Sequence, residues 1–181
     1  MKPKILLAVL VVVVVSVGGC ISKEPSLNSI VSYWYSINSF TAHEEVKIGN
    51  LTFESYVNFT KPDKISRADY VNGSPLQEVT IENGIQKIVT ANGTFTLNAT
   101  LDDVNALDPF ASILNNLDSF NITKRGNSLI LTPKTKELPS YEVELNEKLP
   151  RKITVKQGGI VIIVEYKKSM LKLEDETFAC F

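Results

Sequence analysis

From Ser26 onward the chain switches between two hydrophobic periods, and the switches mark its elements. Leu27, Ile30, Val31, Trp34 and Ile37 recur at helical spacing. They predict an amphipathic helix from Ser26 to about Asn38, with Ser26 as its N-cap. After Phe40 the period becomes two. Phe53, Ser55, Val57 and Phe59 alternate with Glu54, Tyr56, Asn58 and Thr60, the pattern of a half-buried strand, and Pro62-Asp63 ends it. Short strands are expected at 65–70, 76–82, 85–90 and 94–98. Asn72-Gly73, Asn83-Gly84 and Asn92-Gly93 separate them, dipeptides that favour tight hairpins whose two central residues take positive φ. Asp108 then caps a second helix, Pro109 occupies its first turn, and Phe110, Ile113, Leu114 and Leu117 form its apolar stripe. Strands resume at 120–124, 128–132, 141–145, 152–156 and 160–166, with Gln157-Gly158-Gly159 turning the last pair, and a final strand lies near Phe178.

Sequential hairpins with so few helices imply a mainly β (α+β) fold. The expected sheet is antiparallel, about eleven strands wide and strongly curved, because a twisted sheet of that width curls instead of lying flat. Its concave side must be covered, and the N-terminal and mid-chain helices are the apolar stripes available as lids. The product is an incomplete barrel with an apolar groove inside. Trp34, Ile37, Phe53, Phe110, Ile113, Leu114 and Leu117 are the candidate ligand-contacting residues. A packed core and a liganded groove use the same side chains, so both readings stay open at this point.

The residues ahead of this domain carry a different message. Lys2 and Lys4 precede an almost purely aliphatic run from Ile5 to Val17, roughly 13 residues long, the proportions of a secretory signal. Spanning a bilayer takes about 20 apolar residues, and this run is shorter. Val17-Gly18-Gly19-Cys20 resembles the lipobox of prokaryotic lipoproteins, which implies cleavage before Cys20 and attachment of a diacylglycerol-type lipid to its thiol. Residues 1–19 are then a signal peptide, 20–25 a short lipidated tether, and 26–181 one domain on the extracytoplasmic face of the cell membrane. Two acyl chains hold such an anchor where one binds only marginally.

Removing the first 19 of 181 residues leaves 162, enough for one sizeable core. The formal charge of −1 includes Lys2 and Lys4, so the remainder is near −3. That balance offers no basic surface for nucleic acid. With Cys20 lipidated, Cys180 stands alone in an apolar setting and reads as a small buried hydrophobe. Asn-x-Ser/Thr triplets at Asn50, Asn58, Asn72, Asn92, Asn98 and Asn121 exceed chance and are candidate N-glycosylation sites in an exported chain. Together with the lipobox they point to a prokaryotic surface that glycosylates asparagine, and an archaeon fits best.

Catalytic chemistry is sparse. The single histidine, His43, adjoins Glu44 and Glu45 and reads as a solvated strand residue; with no second histidine and no free thiol nearby it makes no zinc site. No nucleophile elbow, phosphate loop or dinucleotide fingerprint occurs. Asp102-Asp103 and Glu174-Asp175-Glu176 read as solvated edges, because neighbouring side chains in a strand or loop point apart. No catalytic residue, metal or cofactor is expected.

The order of elements resembles the fold shared by the lipoprotein localisation factors (LolA/LolB) and the RseB-type sensor-binding proteins. The likeness rests on Lys61-Pro62-Asp63-Lys64-Ile65 as the early strand-joining turn, Val79 to Phe95 as a hairpin around Asn-Gly, Asp108-Pro109-Phe110 to Leu117 as the mid-chain helix, and Pro150-Arg151-Lys152-Ile153 with Val155 to Tyr166 as the late hairpin. It covers most of residues 26 to 181. The resemblance implies a concave sheet that binds acyl chains, lipoproteins or a partner's peptide. The function expected is therefore a surface lipoprotein, monomeric, that binds a hydrophobic ligand or an envelope lipoprotein. Its alternative is an envelope sensor that docks a protein partner without a lipid cavity.

Overall fold

The computed structural model describes residues 24–173 and 176–180, with side chains described through Lys167. Helix α1 (Leu27–Ser36) opens it, capped by Ser26, whose hydroxyl accepts from the Ser29 N–H at 3.2 Å. The helix passes without a loop into strand β1 (Ile37–Ile48). A meander follows: β2 (Leu51–Thr60), β3 (Lys64–Val71), β4 (Ser74–Glu82), β5 (Ile85–Thr90) and β6 (Gly93–Asn98). Two short helices, α2 (Leu101–Leu107) and α3 (Pro109–Asn115), and one 3-10 turn (Leu117–Ser119) interrupt it. The chain then forms β7 (Phe120–Arg125), β8 (Ser128–Pro133), β9 (Ser140–Asn146), β10 (Leu149–Gln157), β11 (Ile160–Leu173) and β12 (Glu176–Cys180).

Eleven strands run in the order β6-β5-β4-β3-β2-β1-β11-β10-β9-β8-β7, and β12 pairs with β11 off that path. The sheet is antiparallel and does not close, so β6 and β7 are its edges. Strand β11 carries the stagger: Ile160 to Glu165 pair with β10, whereas Glu165 to Leu173 pair with β1. Turn chemistry explains the hairpins. Asn72-Gly73 has φ of 47° and 77°, and Asn83-Gly84 has 54° and 72°, the double left-handed conformation that Asn and Gly accept most readily. The third expected turn differs: its loop is Ala91-Asn92, and of Asn92-Gly93 only Gly93, at 140°, has positive φ.

Three boundaries depart from the sequence pattern. Helix α1 stops at Ser36, two residues before the expected Asn38, and β1 follows at once across a stretch for which the pattern predicts no element of its own. Helix α2 replaces an expected loop. Asp103 there is solvated as expected but also caps: its carboxylate accepts from the Thr100 backbone N–H at 2.7 Å and closes the first turn. Cys20 and the whole signal segment, the side chain of Cys180, and Glu174-Asp175 lie outside the described residues.

The core lies between the inner sheet face and the helices. Cross-strand register stacks Phe40, Phe59, Ile65 and Ile81 in one rung. Phe110 from α3 meets Phe40 at 5.2 Å and Trp34 edge-on at 5.4 Å between ring centroids. Each such side chain contributes about 1.5–3 kcal/mol by burial. The Trp34 indole N–H also donates to the Lys148 carbonyl at 2.7 Å, and this bond ties α1 to the β9–β10 turn.

Candidate functional site

Two rungs further along the same inner face, apolar side chains give way to polar ones. Register places Tyr166, Glu44, Ser55, Asp69 and Gln77 directly opposite one another across β11, β1, β2, β3 and β4. Arg67 enters this row from the rung between, where Ala42, Val57 and Val79 are its neighbours. Its guanidinium donates to Asp69 Oδ1 at 2.6 Å, Ser55 Oγ at 2.7 Å, Glu44 Oε2 at 3.2 Å and the carbonyl of Leu107 at the end of α2. Ser55 Oγ donates to Asp69 Oδ1 at 2.6 Å, and Gln77 Nε2 donates to Asp69 Oδ2 at 2.9 Å. Asp69 is thereby held below the usual aspartate range: burial pushes it up, but Ser55, Gln77 and Arg67 together outweigh burial.

Asp108 completes the cluster from above, at the junction of α2 and α3. One carboxylate oxygen accepts from the Ala111 N–H at 2.6 Å and caps α3. The other accepts from the Tyr166 hydroxyl at 3.3 Å. Glu44, only 1 % exposed, lies beside it. Burial pushes the Glu44 carboxyl well above its ordinary value, the Asp108 carboxylate adds to the rise, and Arg67 and Tyr166 oppose it. Charge counting agrees. One guanidinium already faces two carboxylates, Asp69 and Asp108, so a third ionised acid here has no compensating cation. Glu44 Oε1 has no ordinary donor in reach. A proton on a buried carboxyl oxygen converts an orphan acceptor into a donor, in line with the raised value of Glu44. Tyr166 is likewise held far above the usual tyrosine range, first by burial and then by Asp108 and Glu44.

The residues singled out from the sequence fall elsewhere. Trp34, Ile37, Phe110, Ile113, Leu114 and Leu117 are all buried in the core between sheet and helices. Phe53 is half-buried on the inner face of β2, one step beyond Ser55. The triplet His43-Glu44-Glu45 is split by strand alternation. Glu44 points in, whereas His43 lies on the outer face, its ring stacked on Tyr56 at 4.5 Å and its Nε2 3.4 Å from Glu54. Sequence reasoning missed the polar row because charged residues read as surface. The signal was Ser55, which interrupts an apolar stripe, together with Arg67 and Asp69 two residues apart on one strand face.

Beyond β4 the inner face loses its cover. Ile88, Phe95 and Leu97 continue it across β5 and β6, opposite Val79 and Gln86, yet Phe95 and Leu97 are 53 % and 55 % exposed. Leu101, the first residue of α2, is 43 % exposed. This wing is apolar, carries no charge on its inner side, and ends at the open edge of β6. All six sequon asparagines are exposed: Asn58, Asn98 and Asn121 on the outer face, Asn50, Asn72 and Asn92 in hairpin turns. None faces the wing. Among the described residues no three His, Cys, Asp or Glu side chains form a metal-holding group, and no helix is long and apolar enough to cross a membrane.

The architecture is that of an open, curved antiparallel sheet lidded by short helices. No protein-family model and no curated protein matches the chain. Among solved structures it is similar to a crystal structure of MucB in complex with MucA(peri), at 15 % identity and a TM-score of 0.40, over 77 % of this chain and 52 % of that one. It is also similar to a crystal structure of MucB, at 16 % identity and 0.38, over 82 % and 57 %. The chain thus spans little more than half the length of the structures it matches.

Proposed function

We propose that the chain is a lipid-anchored binding module on the extracytoplasmic face of a cell membrane, and that it holds a lipid acyl chain on the uncovered wing formed by β4 to β6. The observation that carries this reading is the half-exposure of Phe95 and Leu97 on the side of the sheet that elsewhere forms the core. Apolar surface on a core-facing side, free of charge, marks a ligand site more than it marks ordinary surface. Cys20 would keep this wing close to the bilayer, where acyl chains are found. The six exposed sequons fit exposure to a glycosylating cell surface.

Native mass spectrometry of the full-length protein, extracted from its own membranes in mild detergent, tests this. The expected spectrum carries the Cys20 lipid and, separately, a dissociable lipid that is lost in the F95D/L97D double variant. A wild type without dissociable lipid, or a double variant that retains it, rules the reading out.

The open edge of β6 favours a second reading. Its outer row of backbone N–H and C=O groups is free to accept an added strand from a protein partner. A stoichiometric protein recovered in place of lipid, and protecting the β6 amides from hydrogen exchange, would select this alternative.

A further inference from the structure

The two edges of the sheet are built differently. Edge strand β7 ends on Lys124 and Arg125, Lys124 is paired with Glu24 at 2.9 Å, and Asn121 is an exposed sequon on its outer face. Charges of this kind guard an edge against added strands. Edge strand β6 has no such guard. Gly93–Asn98 contains no charge and no proline, all six of its residues are exposed, and its register with β5 runs without a bulge from Thr90/Gly93 to Ile85/Asn98. Helix α2 leaves the edge open, because its far end lies over β3, where the Leu107 carbonyl accepts from Arg67. Backbone parity in β6 follows from the bond that the Ala99 N–H donates to the Gly84 carbonyl at 2.8 Å. Antiparallel pairs alternate between bonded and non-bonded. Gly93, Phe95 and Leu97 therefore turn their backbone groups toward β5, whereas Thr94, Thr96 and Asn98 turn theirs toward the open edge.

We propose that β6 pairs antiparallel with β6 of a second copy of this chain, about a two-fold axis passing between the two Thr96 residues. The inference deepens the strand-addition reading of the β6 edge and rests on it, and it puts a symmetric dimer in place of the monomer expected from the sequence. Parity, faces and charge select this register. The outward groups of Thr94, Thr96 and Asn98 meet those of the second copy's Asn98, Thr96 and Thr94, which gives about six ladder bonds. Moving the axis to Phe95 or Leu97 takes one of these pairs off the end of the strand. Phe95 then stands opposite the second copy's Leu97 on the inner face, in the close, non-bonded pairs of the ladder, and both have half their surface left to bury. Threonine meets threonine and asparagine on the outer face. No β6 residue is charged, so the symmetry sets no like charges against each other. The two wings become one apolar floor to which each copy contributes Phe95 and Leu97. A single strand seam lies at the low end of interface sizes, below about 1,200 Å², so the dimer depends on the concentration that membrane anchoring supplies. Copies anchored in one bilayer have their two-fold along the membrane normal. The axis at Thr96 is perpendicular to the sheet, so the joined floor lies parallel to the membrane.

Disulfide trapping of the full-length protein in vesicles of its host's lipids tests the register. Thr96→Cys is placed in a Cys180→Ser parent. Bonded partners in an antiparallel pair have Cα atoms about 5.5 Å apart, within disulfide reach. Lys87, exposed on the outer face of β5 opposite Thr96, would lie roughly 14 Å from its counterpart, three strand spacings away, and Lys87→Cys is the control. Under mild oxidation T96C should form a species of twice the protomer mass at least about tenfold faster than K87C, both measured above the C180S parent. Hydrogen exchange on the wild type in the same vesicles should be slow at the Thr94, Thr96 and Asn98 amides and become fast on dilution into excess detergent. Absence of the T96C dimer, or equal rates for T96C and K87C, overturns the second copy. Protected amides without the cross-link refute self-pairing alone, and unprotected amides refute the docking edge with it. Lipid occupancy is a separate readout: a lipid-carrying protein that does not cross-link refutes the dimer alone, and a cross-linked protein without lipid refutes the acyl-chain reading alone.

Discussion

Replacing Arg67 by Met removes the one cation of the polar row and keeps most of the side-chain volume. In the native protein its guanidinium makes four hydrogen bonds to Asp69, Ser55, Glu44 and the Leu107 carbonyl. Its side chain is 20 % exposed, against 11 % for Asp69 and 1 % for Glu44, so solvent offers little screening. Breaking a buried ion pair by deleting one partner costs about 3–5 kcal/mol, because the remaining charge stays buried without compensation. For a domain of this size that is a fall in Tm of roughly 6–20 °C. Urea unfolding of the full-length protein, followed by emission of the single tryptophan, Trp34, measures it directly. A triple variant R67M/D69N/D108N should recover a large part of the loss, since both carboxylates that faced the guanidinium are then gone and Asn still caps α3. An R67M protein within 1 kcal/mol of wild type, or a triple variant no better than R67M, would refute the claim that Arg67 compensates buried charge.

Three further outcomes are expected. Phe110→Ala should cost about 3–5 kcal/mol in the same urea assay and shift Trp34 emission, because the two rings are in edge-on contact. On the acid side, Asp69 is held below its ordinary 3.8, so the stability it lends is complete above that value and lost as pH falls through the depressed one; urea titrations between pH 5 and 2 should show that slope in wild type and a reduced one in D69N. Cys20→Ser should leave the signal segment uncleaved and the protein without lipid, seen as a higher intact mass by mass spectrometry.

The hairpins were legible because their turns are written in local chemistry: Asn72-Gly73 and Asn83-Gly84 need no tertiary information to turn. The hidden strand β1 shows what was not legible. Its inner positions are Phe40, Ala42, Glu44 and Val46, and the glutamate breaks the apolar alternation on which a strand is recognised. Its acidity marks surface until register sets it against Ser55, Asp69 and Tyr166. The polar row is thus a property of five strands meeting, and none of them announces it alone. Helix α2 escaped for a similar reason: Leu101, Val104 and Leu107 are too few to make a stripe, and the helix forms because Thr100 and Asp103 close its first turn.

The direct passage from α1 into β1 has a mechanical side. If the proposed lipid at Cys20 is the fixed point, any tug on the domain enters through α1. Uncoiling those ten residues from about 1.5 Å to about 3.4 Å per residue releases roughly 19 Å of slack. After that the pull runs along β1, a strand flanked on both sides by β2 and β11. Its ladder bonds then bear the load side by side, in shear, and do not unzip one at a time from an edge. The attachment point thus meets the sheet at an interior strand, so a cell surface exposed to drag would stretch a spring before it tested the fold.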